Sequence, residues 1–117
     1  MYTSAKGTIT NNGTIKGIDK TIGIYGKDKI ELGSSSSITV GDSGVALYSS
    51  TGDVKVNPGA KIELIKGGSG STPADNATGV FVDNSRGTAS TVNIDVHDLV
   101  QSNLGKNSYG YFFKDVN

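Results

Sequence analysis

The sequence predicts an all-β fold, a parallel β-helix in which three sheets surround one core. Its apolar residues come in short bursts, and the bursts that start at residues 22, 30, 38, 45, 54 and 62 are spaced by 8, 8, 7, 9 and 8 residues. Gly, Ser, Thr and Asn account for 51 of the 117 residues, a composition that favours strands and turns. No window of 11 residues carries a helical apolar stripe, so crossover helices are not expected.

Eleven such bursts are the candidate strands. In most of them apolar and polar residues alternate, which is the period of a strand with one buried face. The residues between the bursts are mainly Gly, Asp, Asn, Ser and Pro, which favour turns. The predicted strands cover residues 8–10, 14–16, 22–25, 30–32, 38–40, 45–48, 54–56, 62–65, 80–82, 92–96 and 110–113.

A longer repeat predicts how these strands are arranged. A glycine precedes an apolar alternation at Gly23, Gly44, Gly79 and Gly110, and the intervals between these glycines are 21, 35 and 31 residues. Twenty-one residues make three strands of about seven, which is one coil of a three-sided solenoid. The longer intervals are interpreted as coils with inserted loops, so the chain is expected to form about four to five coils.

Alignment on the four glycines assigns the bursts to three sheets. One sheet holds the bursts near residues 24, 45, 80 and 111, the second those near 9, 30, 54 and 92, and the third those near 15, 38 and 62, with a continuation near 99–100. In this arrangement Val45 lies beside Ile24 of the neighbouring coil. An antiparallel sandwich of the same strands stays open as an alternative, and it would place Val45 opposite Val54 in a hairpin.

The alternation also predicts which side chains fill the core. Nearly all of the inward residues are β-branched or Leu, and full burial of each contributes about 1.5–3 kcal/mol before entropy is counted. The outward positions are mostly polar, and Glu31 and Lys55 should be neighbours on adjacent coils of one sheet. The predicted inward set is Ile9, Ile15, Ile24, Ile30, Leu32, Ile38, Val40, Val45, Leu47, Val54, Val56, Ile62, Leu64, Val80, Val82, Val92 and Ile94.

One sheet departs from this pattern because aromatic residues occupy its outward positions. The position two after the aligned glycine is Tyr25, Ala46, Phe81 and Phe112 in successive coils, and Tyr48 lies two residues beyond Ala46. An outward row of aromatic side chains predicts an interaction surface. The alternative is that an inserted loop or the register of the end coils covers these rings.

Two inserted loops, residues 66–78 and 84–91, are the other candidate recognition sites, because a rigid solenoid would hold them in place. The second loop contains Arg86, the only Arg of the chain and a multidentate hydrogen-bond donor. We favour the interpretation that both loops are neutral insertions, since surface loops tolerate extra length. The candidate interaction residues are therefore Tyr25, Tyr48, Phe81, Arg86 and Phe112.

The composition excludes several kinds of chemistry. The chain has no Cys, which excludes disulfides, zinc fingers and Cys-based catalysis, and its single His97 excludes a multi-His metal site. No metal and no cofactor are therefore expected. Eleven basic and eleven acidic residues give a formal net charge of zero, which argues against a nucleic-acid partner.

Catalysis is not expected either. His97, with Asp95 and Asp98 beside it, is the one place for a Ser-His-Asp arrangement, but the Gly-x-Ser-x-Gly turn of such hydrolases is absent. Glu31 and Glu63 should lie on different sheets, so the paired carboxylates that cleave polysaccharides are not expected. The sequence therefore predicts a protein that is not an enzyme.

Several segments resemble the repeats of very large bacterial surface proteins. They are Asn-Asn-Gly-Thr-Ile-Lys-Gly at 11–17, Thr-Ile-Gly-Ile-Tyr-Gly at 21–26, Ser-Ile-Thr-Val-Gly at 37–41, Ser-Gly-Val-Ala-Leu-Tyr at 43–48 and Val-Asn-Pro-Gly-Ala at 56–60. The chain is similar to the passenger domain of a type V autotransporter, closest in style to the large fusobacterial adhesins. The resemblance covers residues 7–65 well and 77–117 loosely. It implies a right-handed β-helix at the extracellular surface, whose parent is anchored in the outer membrane by a barrel that is not in this chain.

The resemblance also implies a function. It predicts a non-enzymatic structural and adhesive segment, whose stacked coils present loops to a host or bacterial surface protein or glycan. Residues 1–117 are expected to be a single β-helix segment taken from a longer passenger domain, with open end coils that permit end-to-end or edge self-association. The alternative is a fragment of a carbohydrate-active β-helix protein, such as a tailspike or a polysaccharide lyase.

Overall fold

A computed structural model describes residues 2–3 (backbone only), 8–50, 53–83, 91–94, 98–101 and 103–114. These residues form twelve short strands and one turn of 3₁₀ helix, Lys66–Gly68. The strands are β1 (Tyr2–Thr3), β2 (Ile9–Asn11), β3 (Thr14–Lys16), β4 (Ile22–Gly26), β5 (Ile30–Leu32), β6 (Ser37–Val40), β7 (Val45–Ser49), β8 (Val54–Val56), β9 (Lys61–Leu64), β10 (Thr78–Asp83), β11 (Val92–Ile94) and β12 (Tyr109–Lys114).

Successive strands belong to different sheets, and the chain returns to each sheet one coil later. Sheet A has the order β1-β4-β7-β10-β12, sheet B the order β2-β5-β8-β11 and sheet C the order β3-β6-β9. Every pairing between these strands is parallel. The described chain is therefore a three-sided parallel β-helix of about four coils, which confirms the predicted fold class and excludes the antiparallel sandwich.

The assignment of bursts to sheets is also confirmed, including the weak continuation of sheet C. Ile62 forms a parallel bridge with Val100, so the chain touches sheet C once more after β9. The next residue caps the free edge: the Gln101 side-chain amide donates to the Leu64 carbonyl (2.7 Å) and accepts from the Leu64 N–H (3.0 Å). A side chain here replaces the backbone of a further strand, which satisfies an edge that would otherwise be open.

The register of sheet A differs from the prediction by two residues. Val45 pairs with Ile22, and it is Leu47 that lies beside Ile24. The register that runs from Ile22 through Val45 to Thr78 and Tyr109 gives coils of 23, 33 and 31 residues. Gly44, which was aligned with the other three glycines, instead precedes its strand. The alignment on glycines was therefore wrong in this coil.

The reason is that strands of sheet A do not alternate strictly. In β4, β7 and β10, two consecutive positions are buried, and the residues on either side of this pair are more exposed. The pairs are Gly23–Ile24, Ala46–Leu47 and Gly79–Val80. Because two adjacent inward residues interrupt the period of two, the alternation does not by itself determine which apolar residues stack on one another.

The core matches most of the predicted inward set. Thirteen of the seventeen residues are buried, while Ile15, Val92 and Ile94 are half-buried and pack against the core. The fourth exception, Val45, is half-buried on the outside of sheet A, as the corrected register requires. The structure adds buried residues from turns and small side chains that the strand pattern did not select: Ala46, Ala60, Ile65, Ala74, Ala77 and Leu99.

Several polar residues hydrogen-bond from one coil to the next, whereas the buried Ser50 hydroxyl has no partner among the described residues. Buried Asn11 donates from its side-chain amide to the Ser36 hydroxyl (2.7 Å) one coil away and to the Gly13 carbonyl (3.0 Å). On the outer face of sheet B, Glu31 pairs in register with Lys55, as predicted, and its carboxylate accepts a hydrogen bond from the Asn57 side chain (3.2 Å). Equivalent turns of successive coils therefore bond to one another as the strands do.

Candidate interaction face

Four aromatic rings form a continuous stack on the outside of sheet A. The aromatic row consists of Tyr25, Tyr48, Phe81 and Phe112, which occupy the same register position in β4, β7, β10 and β12. Their ring centroids lie 4.9, 4.8 and 5.0 Å apart, with interplanar angles of 24°, 17° and 5°. These spacings equal the distance between neighbouring strands, so the parallel register itself brings the rings face to face.

The structure confirms that the predicted aromatic residues lie together, and it corrects which residue of β7 belongs to the row. The sequence alignment placed Ala46 in the row and Tyr48 beyond it. In the structure Tyr48 stacks on Tyr25 and Phe81, while Ala46 is fully buried next to the core. The two-residue change of register therefore turns a row of three rings with a gap into an uninterrupted row of four.

A second outward row runs beside the aromatic row. It contains Ile22, Val45, Thr78 and Tyr109, which are paired in register. In β4, β7 and β10 this row lies on the other side of the two consecutive buried positions. Tyr109 meets Phe112 edge-on, with centroids 5.8 Å apart and planes at 71°. We call the eight residues of the two rows the outer face of sheet A. Seven of them are apolar or aromatic, so the sheet presents a continuous apolar surface.

Within the aromatic row, the surroundings of Tyr48 favour its neutral form. Partial burial raises the pKa of the Tyr48 phenol above its usual value of 10.0, and the nearby charges of Asp83 and of an ionised Tyr25 act in the same direction. Tyr48 therefore keeps its proton well into the alkaline range. Asp83 itself lies in register with Lys114 on β12, so charged groups flank the row at the end of the strands.

The stacking determines what this face can bind. Tyr48 and Phe81 each have neighbouring rings on both faces, so they present their edges outward. Phe112 stacks on one ring, Phe81, and meets Tyr109 at a steep angle. A sugar that stacks on an aromatic face finds such a face covered along most of the row, whereas an apolar protein surface contacts the ring edges directly.

A second repeat, which we call the aspartate corner, lies at the turn from sheet C to sheet A. Asp19, Asp42 and Asp75 occupy equivalent positions in successive coils, and Lys106 takes this position in the last coil. The Asp42 N–H donates to Asp19 Oδ1 (2.8 Å), the Asp75 N–H to Asp42 Oδ1 (2.8 Å) and the Lys106 N–H to Asp75 Oδ1 (2.9 Å). Each carboxylate thus binds the backbone of the coil that follows.

The backbone conformation at this corner also repeats from coil to coil. The residue after each corner position adopts a left-handed conformation, with φ between 55° and 58°, at Lys20, Ser43, Asn76 and Asn107. This repeat does not emerge from an alignment of the coils on their glycines. A usable signal was present, since each aspartate stands three residues before a strand of sheet A, at Asp19, Asp42 and Asp75.

Two glycines make room for the corner carboxylates. A Cβ atom on Gly41 would collide with Asp19 Oδ1, and one on Gly105 would collide with the Ala74 carbonyl oxygen and lie 2.7 Å from Asp75 Oδ1. Real Cβ atoms do not approach an oxygen so closely, so each glycine allows the carboxylate of the preceding coil to reach its N–H donor. The lack of a side chain at Gly41 and Gly105 therefore allows adjacent coils to pack closely at this corner.

The inserted loop 66–78 lies along the aspartate corner. Lys66 Nζ donates to Asp42 Oδ2 (2.8 Å) and lies 3.4 Å from Asp75 Oδ2, which links two coils. The loop closes on itself through the Lys66 N–H to the Thr72 carbonyl (2.8 Å) and an antiparallel bridge between Ile65 and Pro73. The described structure therefore gives this loop a fixed place on the coils.

The ion pair between Lys66 and Asp42 shifts the pKa values of both side chains. The hydrogen bond from Lys66, together with the one from the Asp75 backbone, holds the pKa of Asp42 below its usual value of 3.8. The same hydrogen bond with Asp42 raises the pKa of Lys66 above 10.5. Both shifts favour the charged forms.

A hollow at the surface of the described residues has acidic residues in its lining. It has a volume of about 300 Å³ and lies at the edge of sheet C, where the main chain leaves the coil after Val100. Its lining residues are Lys61, Ile62, Glu63, Ile65, Asp98, Leu99 and Gln101. Two acidic residues that the sequence pattern does not associate, Glu63 and Asp98, thus line the same hollow.

The remaining candidates lie outside the described residues. Arg86 and nearly all of the loop 84–91 belong to the part that is not described, as do Asp95 and His97. Within the described ranges, no group of three or more His, Cys, Asp or Glu side chains is placed to hold a metal ion. In the same part of the chain, no helix has the length and apolar character needed to cross a membrane.

Comparisons of this chain with protein families, with curated proteins and with solved structures find no match.

Proposed function

We propose that the chain is a non-enzymatic structural and adhesive segment of a surface-exposed autotransporter passenger. The observation that carries the proposal is the outer face of sheet A, an apolar surface that extends over the four strands β4, β7, β10 and β12 of a stacked solenoid. The extracellular location and the outer-membrane anchor of the parent rest on the sequence resemblance alone. In this proposal the coils provide length and stiffness, and the outer face provides adhesion.

The composition of the face supports a protein partner on a host or bacterial surface. Apolar and aromatic residues are enriched in the buried centres of protein interfaces, where charged residues are depleted. The eight residues of the face include the four aromatic rings of the row and Tyr109, and none of them is Asp, Glu, Lys or Arg. A glycan partner is the less favoured occupant, because the stacked rings cover one another's faces.

An adhesion assay with a matched pair of variants tests the proposal. Ile22 and Ile18 are both exposed isoleucines, at 50% and 68%, but only Ile22 belongs to the outer face. Ile22→Asp should reduce binding of the purified chain to intact host or bacterial cells at least severalfold, and Ile18→Asp should leave it unchanged. Equal effects of the two substitutions would exclude the outer face as the adhesive surface. Blank results for the unmodified chain on cells and on a glycan array would leave only a spacer role.

The hollow beside β9 supports a second candidate function, a carbohydrate-active fragment. Glu63 and Asp98 line one cavity, and two carboxylates across a sugar are the usual arrangement for glycoside hydrolysis. Incubation of the chain with a panel of bacterial polysaccharides would reveal new reducing ends or shorter chains. Activity that is lost in Glu63→Gln and in Asp98→Asn, with unchanged thermal melting, would establish this function in place of the first. A blank panel would remove it.

A further inference from the structure

Few side chains of this protein react readily with a one-electron oxidant. The chain has no Cys and no Trp, and Met1 is its single Met. Its five Tyr, at positions 2, 25, 48, 109 and 111, are therefore the principal sites of such oxidation. A phenol that loses one electron and its proton becomes a phenoxyl radical, and two such radicals on neighbouring rings couple to each other. The products of oxidation thus depend on which tyrosines the fold places side by side.

Tyr25 and Tyr48 are two phenols that the fold places side by side. They pair in register on β4 and β7, and their rings stack with centroids 4.9 Å apart and planes at 24°. Residues in register on adjacent strands project from the same face at one strand spacing, so the contact is built into the coil repeat. Both side chains are half-buried on the outside of sheet A, which leaves them open to a small oxidant.

The other ring contacts of the described residues do not join two phenols. Tyr48 has Phe81 on its second side, with centroids 4.8 Å apart, and Phe81 has no hydroxyl from which a phenoxyl radical forms. Tyr109 and Tyr111 each contact a Phe ring of their own strand. These two tyrosines are 52% and 42% exposed, so they are the phenols best placed to meet those of other molecules.

We propose that Tyr25 and Tyr48 form an oxidative cross-linking site, at which hydrogen peroxide and a peroxidase join β4 to β7 by a carbon–carbon bond. Each phenol gives up one electron and one proton, and the two phenoxyl radicals couple through ring carbons next to their oxygens. The hydrogens on these carbons move to the oxygens, which restores both rings and both hydroxyls. Hydrogen peroxide accepts the two electrons and two protons and becomes two water molecules. The proposal does not depend on the adhesive function.

The fold favours this bond within one molecule over bonds between molecules. Groups held in contact react as if each were present at a concentration far above that of the dissolved chain. The product joins two successive coils and closes the chain between residues 25 and 48, which restricts the unfolded state as a disulfide does. Since the chain has no Cys, a bond between tyrosines is a way to link its coils covalently that needs no disulfide.

Peptide mapping of the full 117-residue chain, after treatment with hydrogen peroxide and a haem peroxidase, tests the proposal. Trypsin releases Tyr25 in peptide 21–27 and Tyr48 in peptide 30–55, and the other three tyrosines lie in other peptides. Mass spectrometry of the monomer fraction should find these two peptides joined, with the loss of two hydrogen atoms. The yield per chain should stay constant over a roughly tenfold range of chain concentration, as an intramolecular reaction requires.

Two conservative variants separate this site from the exposed phenols. Tyr48→Phe keeps a stacking ring and removes only the hydroxyl, so it should fold normally and lose the joined peptides. Tyr109→Phe should leave the joined peptides unchanged and reduce covalent dimers. The backbone of Tyr2 also pairs in register with Tyr25, and a Tyr2–Tyr25 bond would instead join peptide 1–6 to 21–27.

Three outcomes would overturn the proposal. The first is an oxidised chain in which tyrosine cross-links occur only between molecules. The second is a joined pair of peptides 21–27 and 30–55 whose yield per chain rises in proportion to chain concentration. The third is a monomer in which peptide 21–27 is joined to peptide 1–6 and not to 30–55.

Discussion

The outer faces of sheets A and B are built on the same architecture and carry opposite chemistry. On sheet B the outward row is Thr10, Glu31, Lys55 and Asn93, and on sheet A it is the aromatic row. Both rows place equivalent residues one strand spacing apart. In sheet B this yields polar neighbours in water, and in sheet A it yields stacked rings.

The difference teaches that the solenoid constrains inward and outward positions unequally. Inward residues must be apolar and must fit a narrow core, so they are similar in all sheets. Outward residues need only be compatible with their neighbours on the adjacent strands, which stacked rings and a pair of opposite charges such as Glu31 and Lys55 both satisfy. An apolar outward row is therefore information about function or association, whereas an apolar inward row is information about folding.

The largest effect is expected for a charge in the core beneath the aromatic row. Leu47→Asp places a carboxylate at a completely buried position, with a cost of more than about 4 kcal/mol, a large part of the stability of a small domain. The chain should be largely unfolded by circular dichroism at 25 °C. Asn93→Asp, which adds the same charge on the exposed face of sheet B, should melt like the unmodified chain. A folded Leu47→Asp protein would contradict the core assignment.

An intermediate effect on stability is expected when an outward residue of sheet A is truncated, compared with an outward residue of sheet B. Phe81→Ala removes two stacked ring contacts and partly buried apolar area from sheet A, and we expect a loss of about 2–3 kcal/mol in urea unfolding. Lys55→Ala truncates an exposed outward residue of sheet B and should change stability by less than about 0.5 kcal/mol. Equal losses would mean that stacking contributes nothing beyond what an exposed polar residue contributes.

The smallest effect concerns the aspartate corner and depends on pH. The pKa of Asp42 is lowered in the folded chain, so its contribution to stability is present above pH 3.8 and is lost as the pH falls through the lower folded pKa. The pKa of Lys66 is raised, so its contribution is present below pH 10.5 and is lost as the pH rises through the higher folded pKa.

Asp42→Asn isolates this contribution, because the amide oxygen still accepts from the Asp75 N–H while the charge is lost. Thermal melts should show a smaller decrease between neutral pH and pH 2 for Asp42→Asn than for the unmodified chain. Glu63→Gln removes one carboxylate from the outside of sheet C and serves as the control. If the melting temperature of Asp42→Asn decreased between neutral pH and pH 2 as much as that of the unmodified chain, the Lys66 ion pair would add no net stability.

Much of the candidate face was predictable from sequence, and two features were not. Tyr25, Phe81 and Phe112 were predicted to share an outward row because each follows a glycine by two residues. Tyr48 was placed outside the row, since the glycine before it belongs to the turn. The hollow with Glu63 and Asp98 was missed because it depends on where the main chain leaves sheet C after Val100, which no local pattern specifies.

The sequence by itself determined the strands, their distribution over three sheets and most of the core, because a period of two selects strands and a period of three strands selects a coil. The tertiary structure alone decided the register of sheet A. A shift of one residue would turn the core side outward, but a shift of two keeps apolar residues on the same side, so Val45 and Leu47 are equivalent by pattern. The hydrogen bond from the Asp42 N–H to Asp19 joins the two coils at one defined offset, and that offset places Tyr48 on Tyr25.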